Sequence, residues 1–181
     1  MRTVDRSTRT TRRTFLRRAA GAPAAAALVG ATDVTQAWAQ DAKSLAPHEM
    51  ATLVKLARDI FPHDHIGDIF YVRAVQPYDE KAGKDPAVKA MISSGVARLD
   101  GDAKDQFGVA DFRSVPWEAD RLVLLRGIER TAFFKTLRAD LVVSLYNQPE
   151  LWPKLGYEGS SAEYGGYLNR GFNDIDWLPT T

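Results

Sequence analysis

The sequence predicts an all-α protein, a small bundle of about five helices followed by an extended C-terminal tail rich in aromatic residues and glycine. Apolar residues recur at intervals of three and four through most of residues 47–146, the spacing that gives a helix one buried face. No segment of the mature part alternates apolar and polar residues between hairpin-type turns, as the strands of an antiparallel sheet would. With 181 residues the chain has the size of one globular domain, so the helices are expected to share one core.

The first predicted helix begins at Pro47, because proline suits the first turn of a helix, and it ends before Pro62. A second helical segment spans about residues 68–81. Pro77 lies inside this segment and is expected to kink it or cut it short, because proline lacks the N–H that a helix interior needs. The apolar positions of the two segments are Met50, Leu53, Val54, Ala57, Ile60 and Phe61, and then Ile69, Val72 and Val75.

The third predicted helix opens at Asp85 and Pro86, since an N-cap carboxylate followed by proline in the first turn is a helix start signal. The apolar positions of this helix continue as far as Leu99. We expect Asp100 and Gly101 to end it, because this dipeptide is typical of turns.

A fourth helix is predicted to begin at Pro116, and a fifth covers about residues 131–146. We expect Trp117, Phe133 and Phe134 in the core. The arginines of these helices are interspersed with acidic residues at helical spacing, so we interpret them as a solvated helix face rather than a basic binding row. They are Arg121, Arg126, Arg130 and Arg138.

The first 39 residues predict a twin-arginine signal peptide. Its consensus of Ser or Thr, two Arg, any residue, Phe, Leu and a basic residue is matched by residues 11–17, as the sequence letters TRRTFLR show. The residues at the defining positions are Arg12, Arg13, Phe15 and Leu16. This export route moves proteins that are already folded, so a cofactor or a partner is expected to be loaded in the cytoplasm.

The signal is expected to be removed. Ala37 and Ala39 form an Ala-x-Ala cleavage site, so cleavage after Ala39 would leave Gln40 as the mature N-terminus and residues 40–181 as a single domain. The alanine-rich stretch before this site is too short and too weakly apolar to span a bilayer of about 30 Å. We therefore expect a periplasmic protein with no transmembrane segment, which can associate with the membrane through its partners.

Charge and cysteine content exclude several functional classes. Residues 1–39 carry a net charge of +5, whereas the remaining 17 basic and 21 acidic residues give the body a net charge of −4. A body of negative charge lacks the electrostatic footprint of a nucleic-acid-binding protein. The chain contains no Cys, which excludes disulfides, iron–sulfur clusters on Cys, thioether-linked haem and a Cys nucleophile.

Candidate catalytic or cofactor-binding residues are few. The sequence has neither a Gly-x-Gly-x-x-Gly nor a Walker motif, so we expect no flavin or nucleotide bound by this chain itself. His63 and His65 follow the first helix and permit an alternative function as a self-contained periplasmic metal-dependent enzyme or small-ligand-binding protein. A histidine at a helix C-terminus also stabilises the helix dipole, and this explanation requires no metal.

Residues 147–181 predict an ordered tail without long helices. Pro149, Pro153 and five glycines between residues 156 and 171 prevent long helices, whereas the aromatic residues predict order because each ring can bury about 150–250 Å². The rings either close the core of this chain or dock on another protein, and the composition leaves both open. They are Tyr157, Tyr164, Tyr167, Phe172 and Trp177.

The C-terminal sequence resembles the signature of the gluconate 2-dehydrogenase subunit 3 family. The similarity is densest over residues 131–179 and is carried by SLYNQPELW at 144–152, LGYEG at 155–159 and GGYLNRGFNDIDW at 165–177. In that family the small subunit accompanies a large FAD-containing dehydrogenase of the glucose-methanol-choline type, which often lacks a signal of its own. A cytochrome c, carrying haem c, can complete the complex.

The resemblance implies a non-catalytic accessory subunit that supports export of the large subunit through the twin-arginine translocase. The large subunit would oxidise a sugar, a sugar acid or a related alcohol and pass electrons to the cytochrome. Because aromatic residues and Arg dominate interface energies, we expect the tail to contribute to the partner interface. The predicted anchors are Tyr167, Phe172 and Trp177, and the predicted polar contacts are Arg170, Asp174 and Asp176.

Overall fold

Six complete α-helices and three short 3₁₀ turns make up the described part of this computed structural model, which is residues 38–169 and residue 172. No β-strand occurs among these residues, so the predicted all-α fold is confirmed. The helices are α1 (Pro47–Ile60), α2 (Asp68–Val75), α3 (Pro77–Lys84), α4 (Pro86–Phe107), α5 (Glu118–Ile128) and α6 (Ala132–Tyr146).

Helix α1 lies at the centre of the bundle and contacts α2, α4, α5 and α6. Its start is stabilised by Glu49, whose carboxylate accepts the N–H of Ala46 at 2.7 Å. Met50 and Leu53 are fully buried, as the apolar spacing predicts, and so is Leu56, which is not among the predicted positions. Burial of each side chain of this size stabilises the fold by roughly 1.5–3 kcal/mol. The packing of the other helices around α1 therefore contributes strongly to stability.

Pro77 divides the second predicted helical segment into two helices. Helix α2 ends at Val75, α3 begins at Pro77, and Gln76 between them still donates its N–H to the Val72 carbonyl at 3.0 Å. The chain therefore stays close to helical geometry while proline interrupts the hydrogen-bond ladder.

Helix α4 passes through Asp100 and Gly101 and ends at Phe107, so the predicted end is wrong. The residue that follows the helix and caps its C-terminus is Gly108, whose φ of 67° lies in the left-handed region. A glycine inside a helix costs about 1 kcal/mol relative to alanine. Tertiary contacts on both sides of Gly101 offset this cost, so the helix continues through it. Ala103 is fully buried, and the Asp100 carboxylate accepts the N–H of Phe112 at 3.0 Å while it also lies 2.7 Å from His48 Nε2.

Arg121 is buried, which corrects its interpretation as part of a solvated face. Its guanidinium donates twice to the Asp59 carboxylate, at 2.7 and 2.9 Å, and once to the Val115 carbonyl at 2.9 Å. The two side chains are only 6% and 3% exposed. This bidentate pair connects the end of α1 to α5 inside the core.

Helices α4 and α6 approach each other closely at Gly95. A Cβ atom added there would lie 2.3 Å from Cγ of Phe133, whose side chain is buried as predicted. Trp117, in contrast, directly precedes α5, makes no side-chain capping hydrogen bond and is 72% exposed, so its predicted place in the core is wrong.

Candidate partner-binding surface

The first ten residues of the tail, 147–156, fasten it to the body. Gln148 Nε2 donates to the Phe70 carbonyl in α2 at 2.9 Å and to the Ser144 carbonyl in α6 at 3.0 Å. Leu151 is fully buried, and Trp152 Nε1 donates to the Tyr146 carbonyl at 2.8 Å. This part of the tail closes the core of its own chain.

Gly156 ends the fastened part. Its φ of 71° lies in the left-handed region that favours glycine, and the following residue, Tyr157, donates its N–H to the Trp152 carbonyl at 2.9 Å. The Tyr157 ring meets Trp152 edge-on with ring centres 5.3 Å apart, although Tyr157 remains half exposed. Beyond this contact the described large apolar side chains of the tail are exposed rather than buried.

We call residues 157–169 together with Phe172 the outer tail segment. A 3₁₀ turn at Ser161–Tyr164 is closed by Gly165 and Gly166, both with φ values in the left-handed region. The N–H of Gly166 donates to the Ser161 carbonyl at 2.7 Å. The backbone of this segment is thus held in turns that only glycine adopts without strain.

The outer tail segment exposes large apolar side chains. Five of the ten exposed large hydrophobic residues in the described part lie among its fourteen residues. Single exposed hydrophobic residues are normal on a soluble protein, whereas this concentration makes the outer tail segment a candidate interaction surface. They are Tyr157 (48%), Tyr164 (57%), Tyr167 (60%), Leu168 (84%) and Phe172 (78%).

The structure describes only some of the predicted interface residues. Tyr167 and Phe172 are among the exposed side chains of the outer tail segment. Leu168 is the most exposed of the five, and sequence reasoning missed it because a single leucine between aromatic residues carries no signal of its own. Other predicted interface residues lie outside the described ones, namely Arg170, Asp174, Asp176 and Trp177.

The histidines after α1 connect the ends of two helices. His63 Nε2 lies 2.7 Å from the hydroxyl of Tyr146, at the end of α6, and the His63 and His65 ring centres are 5.9 Å apart. Burial lowers the pKa of His63, and the nearby His65 lowers it further, which favours the neutral imidazole that can accept the tyrosine O–H. The described residues include no group of three His, Cys, Asp or Glu side chains that could hold a metal ion.

Four surface cavities bordered by described residues have volumes of about 170, 200, 230 and 260 Å³. Each is smaller than the roughly 300–1,000 Å³ of typical small-molecule sites. We therefore take the outer tail segment, rather than one of these four cavities, as the candidate binding surface.

The predicted export residues divide between the two parts of the chain. Arg12, Arg13, Phe15, Leu16 and Ala37 lie outside the described residues, whereas Ala39 is described. Within residues 38–169 and 172, no helix combines the length and apolar character needed to cross a membrane.

Comparison with known proteins finds no match to this chain among protein-family models, curated proteins or solved structures.

Proposed function

We propose that this chain is the non-catalytic small subunit of a periplasmic dehydrogenase. Its partner is a large FAD-dependent subunit of the glucose-methanol-choline type that oxidises a sugar, a sugar acid or a related alcohol. The small subunit stabilises the large one and supplies the twin-arginine signal that exports the folded pair. A cytochrome c accepts the electrons.

The observation that carries this proposal is the exposure of the outer tail segment. Exposed apolar surface is disfavoured in water by about 25 cal/mol per Å², so burial of the most exposed side chains of this segment, Leu168 at 84% and Phe172 at 78%, against a partner would be favourable. The turns at Gly165 and Gly166 order the backbone before a partner arrives. An interface of this kind loses less conformational entropy on association than a disordered tail would.

The export signal and the chemistry of the body support the same function. Export in the folded state indicates a load, and the chain has no Cys and no nucleotide-binding motif with which to hold a redox cofactor. A partner polypeptide that carries the cofactor would explain both why the chain is exported folded and why it has no cofactor-binding motif of its own. The resemblance of residues 131–179 to gluconate 2-dehydrogenase subunit 3 gives this polypeptide its class.

Purification of the tagged chain from its native cells tests the proposal. A large polypeptide with flavin absorbance and dye-linked dehydrogenase activity should copurify with it. The double variant Leu168→Ala and Phe172→Ala should lose most of that polypeptide, since truncation of a buried interface anchor typically costs at least about 2 kcal/mol, or roughly thirtyfold in affinity.

Trp117→Ala is the matched control, because Trp117 is as exposed as these residues but lies at the start of α5. It should leave the copurified flavoprotein unchanged. Equal capture by the double variant and the wild type, with helical circular dichroism intact in both, contradicts the assignment of the interface. Absence of any flavoprotein from the wild-type preparation contradicts the function itself.

A further inference from the structure

The residues at the expected cleavage site are folded onto the body. Trp38 and Ala39 form a helical turn, in which the N–H of Asp41 donates to the Trp38 carbonyl at 3.0 Å and the N–H of Ala42 lies 3.4 Å from the Ala39 carbonyl. Ala39 is only 1% exposed, and Trp38 packs against the same core. We call residues 38–45 the junction segment.

Asp79 in α3 holds the other end of the junction segment. Its carboxylate accepts three consecutive backbone N–H groups, those of Lys43 at 2.9 Å and of Ser44 and Leu45 at 2.8 Å each. Burial by itself would raise the pKa of Asp79, but the three N–H donors and the Lys43 ammonium bring it below its ordinary value. The ionised carboxylate therefore stabilises the seated segment.

Helix α3 also approaches the junction segment closely through Gly83. A Cβ atom at this position would lie 2.6 Å from Oγ of Ser44, a distance that forces one of the two groups to move. Gly83 thus marks a close approach of α3 to the Ser44 hydroxyl, and the Asp79 hydrogen bonds hold the backbone of the junction segment. Leu45, at the end of the segment, is buried in the core.

We propose that the fold protects the Ala39–Gln40 bond from signal peptidase, so that the signal stays attached until the junction segment detaches. This inference rests on the proposed twin-arginine export, in which the peptidase meets a folded protein. A protease binds its substrate as an accessible, extended strand. Ala39 is helical and 1% exposed, and Gln40 on the other side of the bond is exposed but held in a turn. Cleavage then tracks the population of the locally opened state.

The consequence for function is one of timing. While the junction segment is seated, the export signal remains linked to the folded subunit and to any partner that has assembled with it. Detachment makes the bond available and ends that linkage. Once the folded subunit meets the peptidase, its own tertiary structure thus delays loss of the signal until the junction segment detaches.

Purified full-length chain, incubated with signal peptidase in detergent micelles, tests this inference. The rate of cleavage after Ala39 is followed by mass spectrometry for the folded wild type and for the same chain in urea at a concentration that unfolds it but leaves the peptidase active. Asp79→Ala and Asp79→Asn weaken the hydrogen bonds, and Gly83→Ala displaces Ser44 while improving the intrinsic helix propensity of α3. Asp140→Asn is the control, because Asp140 bonds Tyr78 and Lys81 of α3 away from the junction segment.

Folded wild type should be cleaved at least about tenfold more slowly than the unfolded chain. Asp79→Ala should restore about tenfold or more of the rate, since removal of interactions worth roughly 1.4 kcal/mol changes a population tenfold. Asp79→Asn and Gly83→Ala should be intermediate, and the control should equal the wild type.

Rapid cleavage of the folded wild type overturns the inference, and so does a failure of Asp79→Ala and Gly83→Ala to accelerate cleavage while both remain helical. If even the unfolded chain is not cut after Ala39, this bond is not the processing site and the inference is again overturned. None of these outcomes depends on a dehydrogenase partner. Failure of the proposed function is detected separately, by the absence of a copurified flavoprotein.

Discussion

Arg121→Met removes the cation from the buried ion pair while it keeps much of the side-chain volume. The Asp59 carboxylate then loses two donors at 2.7 and 2.9 Å in a place where only 3% of its side chain reaches solvent. The Val115 carbonyl loses a donor as well. Breaking a buried pair by removing one partner costs about 3–5 kcal/mol, because the remaining charge is neither solvated nor paired.

This loss is a large part of the 5–15 kcal/mol by which domains are typically stable. Urea denaturation followed by helical circular dichroism measures it as a lower midpoint with an unchanged slope. The double variant Asp59→Leu and Arg121→Met should be more stable than Arg121→Met alone, because it leaves no unpaired charge in the core.

Arg98→Ala is the matched surface control. Arg98 pairs with Asp102 one helical turn away but is 65% exposed, so its loss should cost no more than about 0.5 kcal/mol. If Arg121→Met is no more destabilising than this control, the reasoning from burial is refuted. If the double variant is less stable than Arg121→Met, the explanation that the unpaired Asp59 carboxylate causes the destabilisation is refuted.

Four further outcomes are expected. Gly95→Ala should lower the unfolding free energy by about 1–3 kcal/mol in urea denaturation, because its Cβ would overlap the Phe133 ring; an unchanged midpoint contradicts the close approach. Hydrogen exchange of the three amides bound by Asp79 should be slow at neutral pH and accelerate, relative to other amides, in acid. The folded-state pKa of Asp79 is lowered, so its stabilisation is present above the ordinary carboxyl pKa and is lost as the pH falls through the folded value; unchanged relative protection at low pH contradicts this. Lys at both Arg12 and Arg13 keeps the charge but not the guanidinium groups, so fractionation should find this subunit and its flavoprotein in the cytoplasm; a periplasmic flavoprotein contradicts shared export. The mature chain made alone should show no flavin or haem absorbance and no stoichiometric metal by elemental analysis, and any of these contradicts a non-catalytic role.

The local signals in the sequence predicted where most helices start. Asp85 caps α4 by accepting the N–H of Ala87 at 2.8 Å, and Thr131 caps α6 through its side chain. Pro47 occupies the first position of α1, as predicted, whereas Pro77, which was predicted only to kink a helix or cut it short, begins α3. These features depend on groups only a few residues apart along the chain, so they can be read without knowledge of the fold.

The candidate binding surface was predicted only in outline. The aromatic and glycine content of residues 147–181 indicated an ordered tail, but the composition could not say which rings pack inward. The structure places Leu151 in the core and Leu168 in solvent, although both are leucines of the same tail. Burial depends on what lies opposite a side chain, and the start of the tail is fixed by Gln148, which bonds α2 and α6 only in the folded chain.

Sequence periodicity by itself determined the class of fold, and Pro77 predicted an interruption of the segment at about residues 68–81, whereas the structure shows that a second helix continues from Pro77 to Lys84. Tertiary structure decided which charged residues are buried and where a helix ends when its end depends on distant partners. Arg121 is buried because Asp59 lies opposite it from a position 62 residues away, and α4 continues past Gly101 because Asp100 binds Phe112 and His48. The physical reason is range: capping and helical propensity act over one turn, whereas desolvation and ion pairing depend on which elements meet in space.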